Sequence, residues 1–361
     1  MEKILFSDVI KKYFPVLEQL VQYYNDERKA PTYLFKQMLT PRFSVNQTWE
    51  SSAIHNSIVA ADVVSMDSNL PLKRRDSLKA ATGELNKIGM KMELKESQIN
   101  EVELMIAKGG RMAEVTRRIM NDAIRCTNGV DERAEFLFLQ ALSNGFCVVA
   151  DDYNTGEGIR VNFGYKPENM FDVTTPWTDS VNATPITDLT NVINAAADKG
   201  DIITTVMMTS EAFHNLRKSR EAKELVASGR GIPVLPTSKL QLPTRSVMLE
   251  ALRDELGINL MFVDRTVLIE KSGDQIPVKP WNKGKVIFLT STNVGEFVYG
   301  QLVEEGNPAE GVVYTKPNAY TLIKRWHCPE PFAEWTSSQA LALPVLQNVH
   351  TIYQLSLDAN D

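Results

Sequence analysis

The C-terminal part of the chain contains a long β-prone run that a proline corner divides. Thr321–Leu346 runs up to Cys328-Pro329-Glu330-Pro331 and then continues, extended, to an apolar patch at Ala340–Leu346. Proline cannot donate to a strand ladder, so the corner interrupts the run. Residues 284–300 form a second β-prone stretch upstream. Neither stretch carries residues in an arrangement that does chemistry, so this half of the chain predicts architecture and no active site.

Length and charge narrow the class of protein further. With 361 residues the chain suits two domains, or one domain with long extensions. Its apolar fraction of 43% and charged fraction of 23% are ordinary for a soluble globular protein with a sizeable core. The net charge of −6 argues against a protein that coats nucleic acid, because neutralising phosphates needs a basic surface.

The cysteines and the apolar runs predict a reducing compartment and no membrane span. Cys126, Cys147 and Cys328 are odd in number and far apart, so we predict neither a zinc site nor a disulfide framework. The N-terminus carries charges throughout and lacks the apolar core of a signal peptide. No apolar run approaches the length of about 18 residues that a membrane span needs.

Residues 1–50 have the pattern of an N-terminal arm. Apolar residues recur with helical spacing as far as Tyr24. A second apolar anchor, Tyr33-Leu34-Phe35, follows between Pro31 and Pro41. Two interpretations are open here: ordinary core helices, or an arm that packs on neighbouring subunits.

Residues 51–96 predict a long two-stranded loop. Ile58–Val64 is β-prone, and Lys87–Leu94 alternates apolar and charged residues with period two, as a strand with one covered face does. The polar segment between them has a basic tip, which consists of Lys73, Arg74 and Arg75. An isolated hairpin is marginal in water, so a long one is expected to rest on a partner. A plain hairpin in a sheet is the other interpretation.

Residues 97–145 predict two helices. The first has a buried stripe at helical spacing, and Thr127-Asn128-Gly129 supplies a stop before a second helix that begins near Asp131. The stripe consists of Met112, Val115, Ile119, Ala123 and Cys126. Arginines on the other faces, Arg117 and Arg118 among them, are interspersed with acids. This pattern favours a solvated or inter-subunit face over a DNA-binding one.

Residues 184–300 predict a compact α/β unit. Its pattern alternates helices with short β-prone runs, and Ile202–Met208 is apolar enough for a strand buried on both faces. Helices are expected at Thr187–Asp198 and Ser246–Leu256, and Gly273–Gly284 is expected to be a loop.

No catalytic or cofactor motif emerges from the residues. The chain lacks the phosphate-loop, dinucleotide, zinc-protease and nucleophile-elbow patterns. The four histidines are isolated from one another and from the cysteines, so no metal-ligand spacing exists. We therefore predict no enzyme, no cofactor and no metal.

Four places in the chain resemble the phage major capsid protein E family, the lambda-type major head proteins. They are Arg111–Gly145 running into a strand, Val161–Tyr165 followed by Thr175-Pro176-Trp177, Thr205–Phe213 before a basic helix, and Arg325-Trp326 through Pro344. Their order and spacing carry the resemblance, which covers residues 95–357.

The resemblance implies an α+β chain with the Hong Kong 97-type phage capsid fold. On this fold, residues 1–50 are the N-terminal arm and 51–96 the extended loop. Residues 97–183 and 301–361 form the peripheral domain with its spine helix, and 184–300 form the axial domain. The implied function is a major capsid protein of a tailed phage. It assembles in the host cytoplasm, as hexamers and pentamers, into the icosahedral shell of the virion.

The resemblance also implies partners and contact residues. The shell encloses double-stranded DNA without reading its sequence, and scaffold, portal and decoration proteins are partners. Inter-subunit contacts are expected at Lys73, Arg74, Arg75, Ile88, Met90, Met92, Arg117 and Arg118. Two alternatives stay open: the shell of a bacterial nanocompartment, and an α/β enzyme whose site lies where strands Ile202–Met208 and Ile258–Val263 end.

Overall fold

The computed structural model of the chain describes residues 32–53, 79–108, 112–149, 159–229, 240–271 and 273–358, and residue 19. The chain forms two compact units. The first comprises Met1–Trp49, Thr82–Leu137 and Glu296–Val345, and the second comprises Glu50–Ala81, Phe138–Gly295 and Leu346–Asp361.

The helices alternate with strands along most of the chain. The α-helices are α1 (Leu34–Met38), α2 (Glu96–Ala107), α3 (Met112–Asn144), α4 (Pro185–Ala197), α5 (Ser210–Lys218), α6 (Arg220–Gly229), α7 (Arg245–Leu256) and α8 (Val303–Gly306). Short 3₁₀ turns lie at Pro167–Asn169 and Val349–Thr351.

Strands form the larger number of elements. They are β1 (Leu39–Ser44), β2 (Thr48–Ala53), β3 (Lys79–Glu84), β4 (Lys87–Lys95), β5 (Phe146–Val149), β6 (Ile159–Asn162), β7 (Met170–Asp172), β8 (Thr205–Met208), β9 (Asn259–Phe262), β10 (Val267–Lys271), β11 (Asp274–Val278), β12 (Lys285–Leu289), β13 (Gly295–Gly300), β14 (Val313–Thr315), β15 (Leu322–Pro329), β16 (Phe332–Leu346) and β17 (Ile352–Ser356).

A six-stranded sheet organises the first unit. Its order is β1-β13-β16-β15-β14, and β4 also pairs with β16. The long strand β16 is antiparallel to both β15 and β4, so Ser337 lies opposite Lys324 on one side and opposite Lys91 on the other. The predicted proline corner is the turn between β15 and β16, where Pro329 pairs with Phe332.

Strand β4 corrects the predicted pairing of the extended loop. Its period-two pattern is a strand, as expected, but it pairs with β16 in the six-stranded sheet. The predicted partner, Ile58–Val64, lies outside the described residues. A separate two-stranded sheet joins β2 to β3. Alternation identifies a covered face but carries no information about the partner strand, so the sequence left this pairing open.

Helix α3 corrects the predicted stop at Thr127-Asn128-Gly129, because it continues through all three residues. Gly129 leaves room there for Met90: a Cβ on it would lie 2.3 Å from the Sδ atom of Met90, so the methionine side chain would have to shift. The predicted stripe is confirmed at Ala123 and Cys126, which are buried. Its other members lie in the same helix, and their side chains are outside the described residues.

Several elements of the second unit match the sequence patterns. Its five-stranded sheet has the order β7-β17-β12-β8-β9, with β8 parallel to β9 and antiparallel to β12. Strand β8 is buried at every position but is shorter than the predicted Ile202–Met208, because Ile202 lies outside the strand and is 78% exposed. Helix α7 ends at Gly257, which adopts the left-handed conformation (φ 67°) that favours glycine.

Two features of the second unit were not predicted. Residues in the expected loop Gly273–Gly284 form β11, which pairs with β10 as a two-stranded sheet. The C-terminal strand β17 lies between β7 and β12.

Among the helices whose residues the structure describes, none combines the length and apolar composition of a membrane span.

Candidate assembly surfaces

Helix α1 is held by a buried carboxylate of helix α3. The side chain of Glu135 is completely buried, and its two oxygens accept the backbone N–H groups of Leu34 (3.0 Å) and Phe35 (2.9 Å). These amides begin α1 and have no partner within a helix, so a carboxylate is a favourable cap for them. This part of the predicted arm is thereby fixed within the first unit.

A second acidic residue lies one helical turn before Glu135. Asp131 accepts hydrogen bonds from Lys36 Nζ and from the Tyr320 hydroxyl, each at 2.6 Å. Burial and the adjacent Asp131 carboxylate raise the pKa of Tyr320 well above its usual range, so its hydroxyl stays a donor. Asp131 and Glu135 therefore hold α1 through the Lys36 side chain and through the Leu34 and Phe35 amides, a contact that we call the acidic clasp.

Aromatic rings extend from the clasp along the sheet. Phe35 packs on Phe297 with ring centroids 5.0 Å apart, and Phe297 packs on Tyr320 at 4.8 Å. The row continues through Tyr299 to Phe43 on the edge strand β1, which is half exposed. Of the two interpretations of Tyr33-Leu34-Phe35, the structure favours core: Phe35 is buried.

One face of the six-stranded sheet carries two stacked tryptophans. Trp326 and Trp335 are direct cross-strand partners, with ring centroids 6.3 Å apart and planes 13° from parallel. Lys91 Nζ lies 4.3 Å from the centroid of Trp335. Lys324, on the same face, donates to both oxygens of Glu304 at 2.8 Å. We call this the tryptophan face.

A cavity of about 360 Å³ adjoins Trp326 on the tryptophan face. Its walls come from strands β14 and β15 and from the segment between α8 and β14. The lining residues are Glu304, Asn307, Ala309, Val312, Tyr314, Lys324 and Trp326. The Tyr314 hydroxyl accepts the Ala309 N–H at 3.1 Å and so fixes one wall.

The opposite face of the sheet packs on helix α3. Arg325 is buried there, 3.5 Å from Glu334, and burial lowers the pKa of its guanidinium. Burial raises the pKa of Asp122 on α3, and the positive charge of Arg325 partly offsets this rise. The Cys126 thiol donates to the Thr336 carbonyl at 3.7 Å. This face is interior, and it leaves the tryptophan face as the outer one.

The predicted contact residues fall into three groups. Lys73, Arg74 and Arg75 lie outside the described residues. Arg117 and Arg118 lie in α3, with side chains outside the described part. Ile88 (7% exposed), Met90 (37%) and Met92 alternate on the face of β4 towards α3, so the structure gives Ile88 a packing role. The role of all eight in contacts between copies stays a prediction.

The sequence reasoning missed the acidic clasp, although a signal was present. Asp131 and Glu135 are four residues apart and so lie on one helix face. They are flanked by apolar residues that point to the core, which marks them as buried acids in need of partners.

Groups of three or more potential metal ligands are absent from the part of the chain that the structure describes.

Comparison with known proteins identifies the family. The sequence profile of the phage major capsid protein E family matches residues 17–357, most of the chain. The chain belongs to this family. Curated protein sequences contain no significant match.

The chain is also similar to solved structures, to different degrees. The chain is similar to a prophage capsid protein from E. coli CFT073, with a TM-score of 0.57 and 15% identity over 94% of this chain and 98% of that one. A phage-related protein from Bordetella bronchiseptica RB50 has a TM-score of 0.49 at 11% identity, covering 96% and 97%. The holo-SrpI encapsulin complex from Synechococcus elongatus PCC 7942 has a TM-score of 0.39 at 12% identity, covering 89% and 86%.

The family and the fold together identify the role of the chain in the virion. The chain is the major capsid protein of a tailed phage, has the Hong Kong 97-type fold and forms an icosahedral shell of identical subunits. Its place is the capsid of the virion, and its family is structural and not enzymatic. The predicted fold, function and lack of enzymatic activity are thereby confirmed, and the family match favours a phage capsid over a nanocompartment.

Proposed function

We propose that hexamers and pentamers of this chain build the shell and that the shell encloses double-stranded DNA without reading its sequence. The observation that carries the proposal is the family match over residues 17–357. The net charge of −6 fits a container better than a DNA-coating protein. Scaffold and portal proteins and a decoration protein are the proposed partners.

The proposal assigns a role to each part of the chain. Residues 1–50 act as the arm, 51–96 as the extended loop, 97–183 and 301–361 as the peripheral domain, and 184–300 as the axial domain. Strands β2 and β3 support the loop, because they pair with each other and with no further described strand. Two strands alone are marginal in water, so they favour a loop that gains stability on another subunit.

The base of the loop is built by a tight contact within the first unit. Trp49 of β2 is buried, and a Cβ on Gly83 of β3 would lie 2.8 Å from its Nε1 atom. The glycine therefore allows the indole to lie against the β3 backbone. This contact supports the proposed base of the loop at β2 and β3.

The loop is tested by replacing residues 60–74 with a short Gly-Ser linker, which keeps β2 and β3. We expect a folded subunit with an unchanged melting temperature that no longer forms shells, measured by light scattering and negative-stain electron microscopy. A second variant, Lys73→Gln with Arg74→Gln and Arg75→Gln, keeps the loop length and removes the basic tip, and we expect it to form fewer shells because it loses the predicted contact residues. Normal shells from the linker variant would contradict a bridging role for the loop.

A further inference from the structure

The tryptophan face carries unpaired positive charge in a chain that is acidic overall. Lys87, Lys91 and Lys95 alternate along β4, so all three lie on this face, opposite β16. All three are exposed, and Glu93 is the one acidic residue between them. Within the described residues, no ion pair includes Lys91 or Lys95.

Apolar and aromatic surface adjoins these lysines. Trp335 lies beneath Lys91, and Trp326, stacked on it, forms a wall of the 360 Å³ cavity. Both indoles are only partly buried. Half-buried tryptophans beside a concave apolar surface are typical of the centre of an interface, where bulky side chains anchor the partner.

Lys324 does not add to the free charge, because Glu304 neutralises it. The hydrogen bonds from Lys324 hold the pKa of Glu304 below its usual range, with a smaller contribution from Lys87. The cavity mouth is therefore nearly neutral and the β4 side is positive. A matching partner has a bulky apolar side chain for the cavity and carboxylates directed at Lys91 and Lys95.

We propose that the tryptophan face binds an acidic segment of a second copy of this chain. The inference rests on the proposed shell function, which places copies of the chain against one another. A second copy can supply the carboxylates: the chain has 45 acidic residues against 39 basic ones, so its acids outnumber the basic groups with which they could pair. Because the face and its partner segment differ, the contact is heterologous, the kind that closes rings of subunits.

The direct test is zero-length cross-linking of assembled shells. Shells are assembled from mixed ¹⁴N- and ¹⁵N-labelled chains and treated with a water-soluble carbodiimide, which joins an amine to a carboxylate in contact with it. We expect Lys91 and Lys95 peptides linked to Asp or Glu peptides in mixed-isotope pairs, which only contacts between copies produce. Links at Lys91 and Lys95 within one isotope alone would overturn the inference and leave the shell function intact.

The outcomes separate the two proposals. If no particles form even with scaffold and portal proteins present, the shell function fails and this inference fails with it. Links from Lys91 to a co-expressed scaffold or decoration protein, in place of this chain, would also overturn the inference.

A charge-reversal variant gives an independent readout. Lys91→Glu should lower the particle yield about tenfold or more at fixed protein concentration, because it opposes carboxylate to carboxylate. Lys91→Arg keeps the charge and the contact with Trp335 and should assemble as the unchanged chain does. Circular dichroism and the melting temperature check that both variants fold. Full particle yield from folded Lys91→Glu would contradict the proposal.

Discussion

The two sheets of this capsid protein are stabilised by different means. The five-stranded sheet of the second unit has an apolar interior in which Val206, Phe288 and Leu355 are buried with helices α4–α7. The six-stranded sheet of the first unit buries Arg325, Ser338 and Thr336 on the face towards α3. The acidic clasp of the same unit buries two carboxylates.

Because the two sheets bury different side chains, we expect mutations to destabilise the two units in different ways. Apolar burial is non-directional and tolerates small shifts, whereas a buried charge has to keep its partners at hydrogen-bond distance. We therefore expect the second unit to respond mainly to lost volume, and the first unit, which also has buried apolar residues, to respond to lost polar partners as well.

Removing a core aromatic ring should affect the second unit most. Phe288→Ala deletes a fully buried side chain from β12, and we expect a loss of about 3–5 kcal/mol in the free energy of unfolding. The measurement is urea denaturation, with hydrogen exchange of residues 205–289 to locate the effect. Leu268→Ala is the matched control: the side chain is 63% exposed, so a change within about 0.5 kcal/mol is expected. Equal losses in both variants would contradict an apolar core.

Breaking the acidic clasp should destabilise the first unit. Glu135→Ala leaves the Leu34 and Phe35 amides without their acceptor, and we expect a loss of about 2–3 kcal/mol. Hydrogen exchange of residues 33–44 is the readout. Glu103→Ala, at an exposed position of α2, is the control and should change stability by no more than about 0.5 kcal/mol. Unchanged exchange in Glu135→Ala would show that the clasp does not hold α1.

Gly129 and Met90 should be energetically coupled. A Cβ at residue 129 meets the Met90 sulfur, so Gly129→Ala combines a gain in helix propensity with a clash. In a Met90→Ala background the clash is gone, and Gly129→Ala should be more favourable there by about 1 kcal/mol. A double-mutant cycle in urea measures this difference. Additive effects would mean that the helix and β4 do not meet at this point.

Much of the second unit follows from sequence alone, and much of the first does not. The helices near Thr187–Asp198 and Ser246–Leu256 and the buried strand β8 were predicted, because apolar periodicity determines local structure there. The pairing of β4 with β16 and the unbroken α3 depend on residues far apart in the chain. In the sequence, Gly129 looks like a residue that ends a helix. In the structure it lies within α3, where it leaves room for Met90.

The surfaces were predictable to a smaller extent. The alternation of Lys87, Lys91 and Lys95 is visible in the sequence, but the register that places Trp326 against Trp335 is not. The spacing of Asp131 and Glu135 is a local signal of the acidic clasp. The hydrogen bonds that they accept from α1 depend on the fold and could not be predicted. Long-range partners of polar groups are set by topology, which a single sequence leaves open.

The smallest expected effect is on the reactivity of the cysteines. Each unit has one buried thiol, so the same labelling reaction compares how well the two units protect it. Burial raises the pKa of Cys126, in the first unit, and of Cys147, in the second, to about 12. Both are therefore thiols up to pH values well above neutrality and should resist iodoacetamide at pH 8, since the thiolate is the nucleophile. Cys328 is partly exposed and should react first. Mass spectrometry of the labelled native protein checks the order; rapid labelling of Cys126 alone would show that the first unit opens locally.

Cryo-electron microscopy of particles from the expressed chain, with scaffold and portal proteins supplied if needed, is the decisive test of the shell function. We expect closed icosahedral shells whose hexamers and pentamers are built from this chain, with the five-stranded and six-stranded sheets recognisable in each subunit. Assemblies without icosahedral symmetry, or a chain that stays monomeric with both partners present, would contradict it.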